Sequence, residues 1–236
     1  MKIVTAHTMQ ELDRRAIEEF GIPGRDLMEQ AGKGCAEHIL ASYGMRQSKR
    51  AVILAGKGNN GGDGYVIARY LLEKGWQVLV IVLAEQTDIH GDALTNLVLL
   101  PDEIVSFCPG EGELSEKHSD ELLKADVLVD ALLGTGLRNE LQGVYLEAVE
   151  LINNAPGKVV AVDIPSGIHG TTGRILGKSV HANMTVTFGA AKLGHVLYPA
   201  ADHIGRLVIV DIGIPPQLME EDRKSTRLNS SHGYIS

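Results

Sequence analysis

Residues 51–64 read Ala-Val-Ile-Leu-Ala-Gly-Lys-Gly-Asn-Asn-Gly-Gly-Asp-Gly, an apolar run that ends in a glycine-rich turn. An apolar run without polar alternation is typical of a strand buried on both faces. The glycines let the backbone take positive φ angles and approach a ligand closely. A helix is predicted next, over Tyr65–Lys74, and Gly75 ends it. A strand, a glycine-rich turn and a helix in this order predict an α/β unit that binds a ligand at the turn.

Apolar runs of the same kind recur along the chain and alternate with helical stretches. The predicted strands are Ala51–Ala55, Val78–Ala84, Ile104–Cys108, Val127–Leu133, Val159–Asp163, Met184–Phe188 and Leu207–Ile212. The predicted helices between them are Tyr65–Lys74, Gly91–Leu100, Ser119–Lys124 and Glu140–Asn154. This alternation indicates a parallel sheet with helices on both faces. We therefore expect an α/β fold, a Rossmann-like three-layer αβα sandwich with a mostly parallel central sheet.

Two helices are predicted before the first of these strands. Thr8-Met9-Gln10-Glu11 has the form of a capping box, with Thr8 at the cap. Apolar residues then recur at helical spacing as far as Phe20, and Gly21–Gly24 ends the helix. The second helix is predicted from about Asp26 to Ser42.

The chain has 236 residues, enough for one large α/β domain, which we place at 1–217. The last stretch, Arg223–Ser236, is polar, serine-rich and without periodicity. It is interpreted either as a frayed terminus or as a non-native tail, and 218–236 is left out of the fold prediction.

Composition excludes several function classes. The net charge of −8 argues against a general nucleic-acid surface, because phosphate backbones require clustered Lys and Arg. No apolar run approaches the length of a membrane span, and the N-terminus lacks the apolar stretch of a secretion signal. Cys35 and Cys108 have no CxxC spacing and support neither a disulfide framework nor a cysteine metal site. We expect a cytoplasmic protein with no membrane or nucleic-acid partner.

Two further polar loops follow predicted strands. Asp130 lies inside an apolar run that leads into Gly134–Glu140, and a carboxylate there needs a partner, hydrogen bonds or a cation. Asp163 ends the fifth strand and precedes Ile164-Pro165-Ser166-Gly167. An alternative interpretation is that the polar residues of each loop form turns or cap helices and have no function in ligand binding. Asp126 competes with Asp130, but it lies at the start of its strand and would face the opposite rim.

The three loops are expected to converge. In the common doubly wound order the first, fourth and fifth strands are neighbours, and ligands bind over their carboxyl ends. Asn60, Asp130 and Ser166 would then offer amide, carboxylate and hydroxyl oxygens to one hard cation. Ligand type leaves open whether this ion is potassium, sodium or magnesium.

Other candidates are weaker. Gly56, Gly58 and Gly61 satisfy G-x-G-x-x-G, and Glu85 stands where a ribose-binding acid would lie, so an NAD-dependent oxidoreductase is an alternative. That alternative needs a catalytic Tyr–Lys pair or His that the sequence does not place, and neither a P-loop nor a Gly-x-Ser-x-Gly elbow is present. Lys192 is interpreted as either a phosphate ligand or a solvated lysine. The histidines interpreted as surface residues are His169, His195 and His203.

The three loops resemble the signature loops of the YjeF N-terminal domain family. The resemblance is carried by residues 58–64, 130–136 and 162–167, together with the two N-terminal helices and Thr185–Phe188. It covers about residues 1–217. Its implied activity is the interconversion of the R and S forms of NADHX and NADPHX, the hydrates of NADH and NADPH.

The resemblance also implies site residues and a cofactor. The implied substrate-binding residues are Asn59, Asn60, Gly61, Gly62, Asp63, Gly134, Thr135, Gly136, Leu137, Arg138, Asn139, Glu140 and Asp163. The implied potassium ligands are Asn60, Asp130 and Ser166. Asp163 is the catalytic candidate: burial would raise its pKa and a neighbouring cation would lower it. We expect a homo-oligomer, a dimer, coupled functionally to an ADP- or ATP-dependent NAD(P)HX dehydratase.

The family leaves two alternatives open. Bacterial members often continue into a second, ADP-dependent dehydratase domain, so this chain is interpreted as either a stand-alone epimerase or a fragment. Some members are non-catalytic binding scaffolds, a function that the intact acids here make less favourable.

Overall fold

The computed structural model describes residues 2–44, 49–109 and 114–220. The strands are β1 (Ile3–Val4), β2 (Arg50–Ala55), β3 (Gln77–Val82), β4 (Val105–Phe107), β5 (Val127–Ala131), β6 (Lys158–Val162), β7 (Met184–Phe188), β8 (Ala191–Lys192) and β9 (Arg206–Val210). The α-helices are α1 (Ala6–Glu18), α2 (Gly24–Tyr43), α3 (Asn59–Glu73), α4 (Gly91–Leu97), α5 (Glu116–Lys124) and α6 (Gly143–Asn154). Short 3₁₀ turns lie at Gln86–Asp88, Asp102–Ile104, Leu193–His195 and Ala200–His203. No helix within these ranges is long and apolar enough to cross a membrane.

Within the described residues, seven parallel strands form the central sheet in the order β4-β3-β2-β5-β6-β7-β9. This confirms the predicted α/β fold and makes the sheet parallel throughout. The strands predicted as first, fourth and fifth are β2, β5 and β6, and they are consecutive neighbours. Their register pairs Leu54 with Asp130 and Asp130 with Ala161. The carboxyl ends of these three strands therefore lie side by side.

The two faces of the sheet explain why its strands are apolar without alternation. Successive side chains of a strand point to opposite faces. Ile53 belongs to an apolar cluster with Ile67 of α3, whereas Leu54 belongs to a second cluster with Leu122 of α5 and Ile152 of α6. Both faces are covered by helices, so both sets of positions are mostly apolar.

The N-terminus is held by a pairing that the sequence did not predict. β1 pairs in parallel with β8, in the register Ile3–Ala191 and Val4–Lys192. Helix α1 follows at once, and its N-cap is Thr5, whose hydroxyl accepts a hydrogen bond from the Thr8 amide at 2.9 Å. The prediction that Thr8 caps this helix was therefore wrong: the cap lies three residues earlier, and Thr8 is inside the first turn.

Helix α3 also begins earlier than predicted, at Asn59 instead of Tyr65. Much of the glycine-rich segment is therefore the first turn of a helix instead of an open loop. A Cβ atom at Gly61 would lie 2.0 Å from the Gly56 carbonyl oxygen, and one at Gly64 would lie 2.7 Å from the Cβ of Ala131. These glycines let the helix start directly against the sheet edge.

The described chain ends in a helical stretch at 216–220, where Leu218 is fully buried. Leu218 and Met219 thus pack against the core of the domain, beyond the predicted boundary at 217. The predicted tail Arg223–Ser236 lies outside the described residues.

Candidate active site

A cavity of about 880 Å³ opens at the carboxyl ends of β2, β5 and β6. The predicted substrate-binding residues that line it are Asn59, Asn60, Asp63, Gly134, Thr135, Gly136, Leu137, Arg138, Asn139, Glu140 and Asp163. Gly61 and Gly62 are buried in the first turn of α3. Helices α1 and α2 contribute a further wall, which includes Asp13 and Met28. Glu85, proposed as a ribose-binding acid under the oxidoreductase alternative, is exposed and lies outside this lining.

The three loops converge at Gly134. A Cβ atom built there would lie 3.4 Å from both Asn60 Oδ1 and Asp163 Oδ2. The loops also bond to one another, since the Leu133 amide donates to Ser166 Oγ at 3.0 Å. The convergence inferred from strand order is therefore present in the structure.

Asp163 occupies a left-handed backbone position directly after β6, with φ at 66°. Residues other than glycine rarely adopt this region, and Asp and Asn are among those that tolerate it. Its Oδ1 accepts hydrogen bonds from Lys192 Nζ at 2.6 Å and from Thr187 Oγ1 at 3.0 Å. The turn thus directs the carboxylate across the end of β7 towards Lys192.

Lys192 is almost completely buried, with 2% of its side chain exposed. Besides Asp163, its ammonium donates to Thr187 Oγ1 at 2.8 Å and to the Phe188 carbonyl at 3.2 Å. The interpretation of Lys192 as a solvated surface lysine was therefore wrong. β8 is too short to give a periodic signal, so the sequence offered no sign of this burial.

The electrostatics of the pair favour an ionised Asp163. Burial alone would raise the pKa of this carboxyl, but the Lys192 ammonium and the hydrogen bonds from Lys192 and Thr187 outweigh it and hold the pKa below its ordinary value. From the sequence, a metal cation was the expected cause of this lowering. In the structure a lysine supplies it.

His195 forms hydrogen bonds with the backbone of both Lys192 and Asp163. The Lys192 amide donates to His195 Nδ1 at 3.0 Å, so the ring proton lies on Nε2, which donates to the Asp163 carbonyl at 2.9 Å. Burial lowers the pKa of His195 to about 4, which keeps the ring neutral. His195 was predicted at the surface and is instead buried, whereas His169 and His203 are half-buried.

Asp13 is the site residue that the sequence analysis missed. It lies on α1 among the buried apolar residues Met9, Leu12 and Ala16, and its Oδ1 is buried without a hydrogen-bond partner in the described structure. Burial, partly offset by Lys192 and reinforced by Asp163, raises its pKa to about 6. An acid within an apolar helical stripe was the available signal.

Asp63 is a further carboxyl in the cavity. It lies in α3 with 8% of its surface exposed. Burial raises its pKa well above the ordinary value, and the Asp163 carboxylate adds to this effect. Among the carboxyls influenced by Lys192, Asp163 is therefore ionised, whereas Asp13 and Asp63 retain their protons to higher pH. Groups whose pKa values are driven apart in this way are suited to acid–base chemistry.

Asp130 and Ser166 are in direct contact beneath the loops. Ser166 donates to Asp130 twice, from Oγ at 2.6 Å and from its amide at 2.8 Å, and the Leu132 amide adds a bond of 3.3 Å. Burial raises the pKa of Asp130 to about 6, despite these bonds. Asn60 lines the cavity, and its Nδ2 is buried without a partner among the described atoms. The structure thus joins two of the three predicted ligands directly.

This donor set fits a hard cation. Carboxylate, hydroxyl and amide oxygens suit such ions, and the Leu133 carbonyl, 3.2 Å from Ser166 Oγ, adds another oxygen. No cluster of three or more His, Cys, Asp or Glu side chains suited to a metal occurs in the ranges 2–44, 49–109 and 114–220.

The fold and the cavity define an α/β protein with a ligand-sized cavity over the carboxyl edge of a parallel sheet. A crystal structure of yeast ynu0 has the same fold, with a TM-score of 0.74 and 22% identity, covering 89% of this chain and 87% of that one. The family model described as YjeF-related protein N-terminus matches residues 24–194, and the chain belongs to this family. The resemblance drawn from the three loops is confirmed.

Relatives with assigned names are similar over nearly the whole chain. A bifunctional NAD(P)H-hydrate repair enzyme of Moorella thermoacetica is 43% identical over 97% of this chain, which spans 43% of that relative's length. An NAD(P)H-hydrate epimerase of Rhodopirellula baltica is 37% identical, covering 92% of this chain and 87% of the relative. One of Elusimicrobium minutum is 35% identical, covering 94% of this chain and 100% of the relative.

Proposed function

We propose that this chain is an NAD(P)H-hydrate epimerase, which interconverts the R and S forms of NADHX and NADPHX. The observation that carries the proposal is the buried Lys192–Asp163 ion pair at a cavity of about 880 Å³, a size that suits a nucleotide ligand. The epimerases of Rhodopirellula baltica and Elusimicrobium minutum, which this chain covers almost end to end, support the same activity.

The reaction inverts C6 of the hydrated nicotinamide ring, where a hydroxyl stands beside the ring nitrogen. Inversion requires either loss and return of this hydroxyl or opening and closing of the ring, and both routes move protons to and from oxygen or nitrogen. Asp163 is ionised and can accept such a proton, while Lys192 keeps its charge in place. His195 fixes the backbone positions of both residues.

The remaining cavity residues suit a dinucleotide. Helix α3 begins at Asn59 without a side-chain cap, so its first amide groups are available to a phosphate. Lys57 and Arg138 line the cavity and supply positive charge. We assign the segments 59–63 and 134–140 to substrate binding on this basis.

We further propose that Asn60, Asp130 and Ser166 hold a potassium ion. Support comes from the full burial of Asp130, whose described hydrogen bonds come from Ser166 and Leu132 and not from a basic side chain. When bound, the ion would supply positive charge that offsets the buried carboxylate and would tie the loops after β5 and β6 together.

Three expectations about the cellular context stay proposals: a cytoplasmic location, a homodimeric state and coupling to an ADP- or ATP-dependent NAD(P)HX dehydratase. The coupling is supported by the name of the Moorella thermoacetica relative, a bifunctional repair enzyme. Light scattering after size-exclusion chromatography would test the dimer.

The activity itself is tested by adding purified protein to a single epimer of NADHX and following both epimers by chromatography or proton NMR. We expect rapid approach to the same mixture from either starting epimer. A rate equal to that of buffer alone, from protein that is folded by circular dichroism, would contradict the proposal. NADH production or consumption would indicate an oxidoreductase instead.

A further inference from the structure

A buried carboxyl from α1 has no function in the chemistry described so far. Asp13 lines the same cavity as Asp163 and Lys192, and its Oδ1 is shielded from solvent without a hydrogen-bond partner among the described residues. A buried polar oxygen without a partner is costly to a folded protein. Its retention in the wall of a ligand cavity indicates that a ligand provides the missing bond.

Asp13 and Asp163 reach the cavity from different parts of the fold. Asp13 projects from α1, which is anchored by β1 against β8, whereas Asp163 projects from the turn after β6. A ring bound between the helix and the sheet edge would meet one carboxyl on each side. Each carboxyl is close enough to the other, and to Lys192, to perturb its electrostatics.

Resting on the proposed epimerase function, we propose that Asp13 is a second proton-transfer residue, which serves the ring face opposite the one served by Asp163. Inversion at C6 takes the oxygen off one face and returns an oxygen to the other. A single carboxylate on one side can reach only one of these two oxygens. Two carboxyls on two sides can reach both.

In one direction of the reaction, inversion at C6 begins with proton transfer from Asp13. The Asp13 carboxylic acid gives its proton to the C6 hydroxyl, the C6–O bond breaks, and water leaves with the bonding pair. The lone pair of the ring nitrogen forms the C6–N double bond. Water then adds to the other face, its second proton passes to the Asp163 carboxylate, and the C–N π electrons return to nitrogen. Before the next turnover in the same direction, Asp163 releases its proton to solvent and Asp13 takes one up, which restores both protonation states.

The charge states agree with this assignment. Asp13 retains its proton to a higher pH than an ordinary aspartic acid, because it is buried, while Lys192 keeps Asp163 ionised. Asp63 is a less suitable second group, because it is more fully buried in the helix wall, whereas Asp13 keeps part of its surface open to the cavity.

The test combines epimerisation with oxygen exchange in ¹⁸O-labelled water. Wild type, Asp13→Asn, Asp163→Asn and Asp63→Asn are each given pure S- or R-NADHX, and both the change of epimer and the ¹⁸O content of the C6 hydroxyl are measured. Glu18→Gln is the matched control, since it removes a carboxylate from an exposed position on the same helix.

We expect Asp13→Asn to epimerise at least about 100-fold more slowly than wild type, a usual size for loss of an acid–base group. It should still exchange oxygen into one of the two epimers with retention of configuration, through Asp163 and Lys192. Asp163→Asn should exchange oxygen, again with retention of configuration, into the other epimer. Glu18→Gln should behave as wild type.

Three results would overturn the inference while the proposed function stands: epimerisation by Asp13→Asn close to the wild-type rate, equal loss of exchange from both epimers in a folded Asp13→Asn, or one-face exchange in Asp63→Asn instead. Asp13→Ser serves as a second variant if Asp13→Asn melts below the parent. Failure of wild type to epimerise would instead contradict the proposed function.

Discussion

At the residue scale, the strained turn at Asp163 is stabilised by groups that also set its charge. A non-glycine residue in the left-handed region costs about 1 kcal/mol or more and persists where surrounding contacts determine it. Here His195 holds the carbonyl of Asp163, while Lys192 and Thr187 hold its carboxylate. The same contacts keep the carboxylate at the cavity in one orientation and one protonation state.

Asp163→Asn tests this residue directly. We expect the variant to fold and to bind NADHX, because the amide keeps the size of the side chain, but to lose about 10²–10⁴-fold in turnover. Asp126→Asn is the control, since Asp126 stands at the other end of β5, where it accepts a bond from the Arg50 amide. Steady-state kinetics would separate the two, and near-normal turnover by Asp163→Asn would move the acid–base function to another carboxyl.

Asp130→Asn tests the proposed potassium ligands. The substitution removes the only formal charge among Asn60, Asp130 and Ser166, so it should weaken cation binding. Activity or melting temperature measured across a potassium titration should respond less in Asp130→Asn than in the parent. The same potassium response in both proteins would contradict this ligand set.

At the scale of elements, α1 contributes a wall of the site, and its start is fixed by Thr5. The hydroxyl of Thr5 accepts from the Thr8 amide, one of the four helix amides that have no partner within the helix. Pairing of β1 with β8 sets the position of this first turn relative to Lys192. The cap therefore supports the placement of Asp13 as well as the helix itself.

Thr5→Ala should lower the free energy of unfolding by about 1 kcal/mol, the usual loss for an N-cap threonine. Thr8→Ala is the matched control, because it removes the hydroxyl that bonds to Thr5 Oγ1 at 2.8 Å and leaves the cap acceptor in place. Urea unfolding of the two variants would measure both losses. A larger loss in Thr8→Ala would mean that the cap is Thr8 after all.

The sequence predicts those elements that are long enough to show a hydrophobic pattern. Uninterrupted apolar runs located every strand of the large sheet, because burial on both faces leaves a clear signal, and strand order then brought the three loops together. Two-residue strands such as β1 and β8 leave no such pattern. The burial of Lys192 could not be predicted because it lies in β8. Asp13 was missed because helical periodicity identifies an apolar face but not the groups that a polar residue within it contacts across the cavity.

At the scale of the whole molecule, the buried carboxyl of Asp13 lowers the free energy of unfolding of the protein at neutral and higher pH. Asp13 ionises near its ordinary pKa of 3.8 in the unfolded chain but retains its proton to about pH 6 in the folded one. The folded state therefore binds more protons between these values, and the contribution of Asp13 to stability falls as pH rises through the interval. Above pH 6 the full cost, at most about 3 kcal/mol, is present.

Asp13→Asn should accordingly be more stable than the parent at pH 8, where the ionised carboxyl is removed, and about equal to it near pH 4. Such a gain in stability with a loss of activity is common at functional sites. Melting temperatures of both proteins at the two pH values would measure it. A variant that melts below the parent at pH 8 would show that Asp13 stabilises the fold instead.

The pairing of β1 with β8 also orders events during synthesis. Ile3 and Val4 leave the ribosome well before their partners Ala191 and Lys192, which emerge only after most of the described chain has been made. Contacts between distant parts of a chain form late, because loop closure costs entropy before the contact compensates for it. β2, β3 and β5 can assemble with their helices while α1 still lacks its anchor. A nascent chain that ends before residue 192 lacks the lysine that pairs with Asp163, so we expect it to show no epimerase activity until that residue has been added.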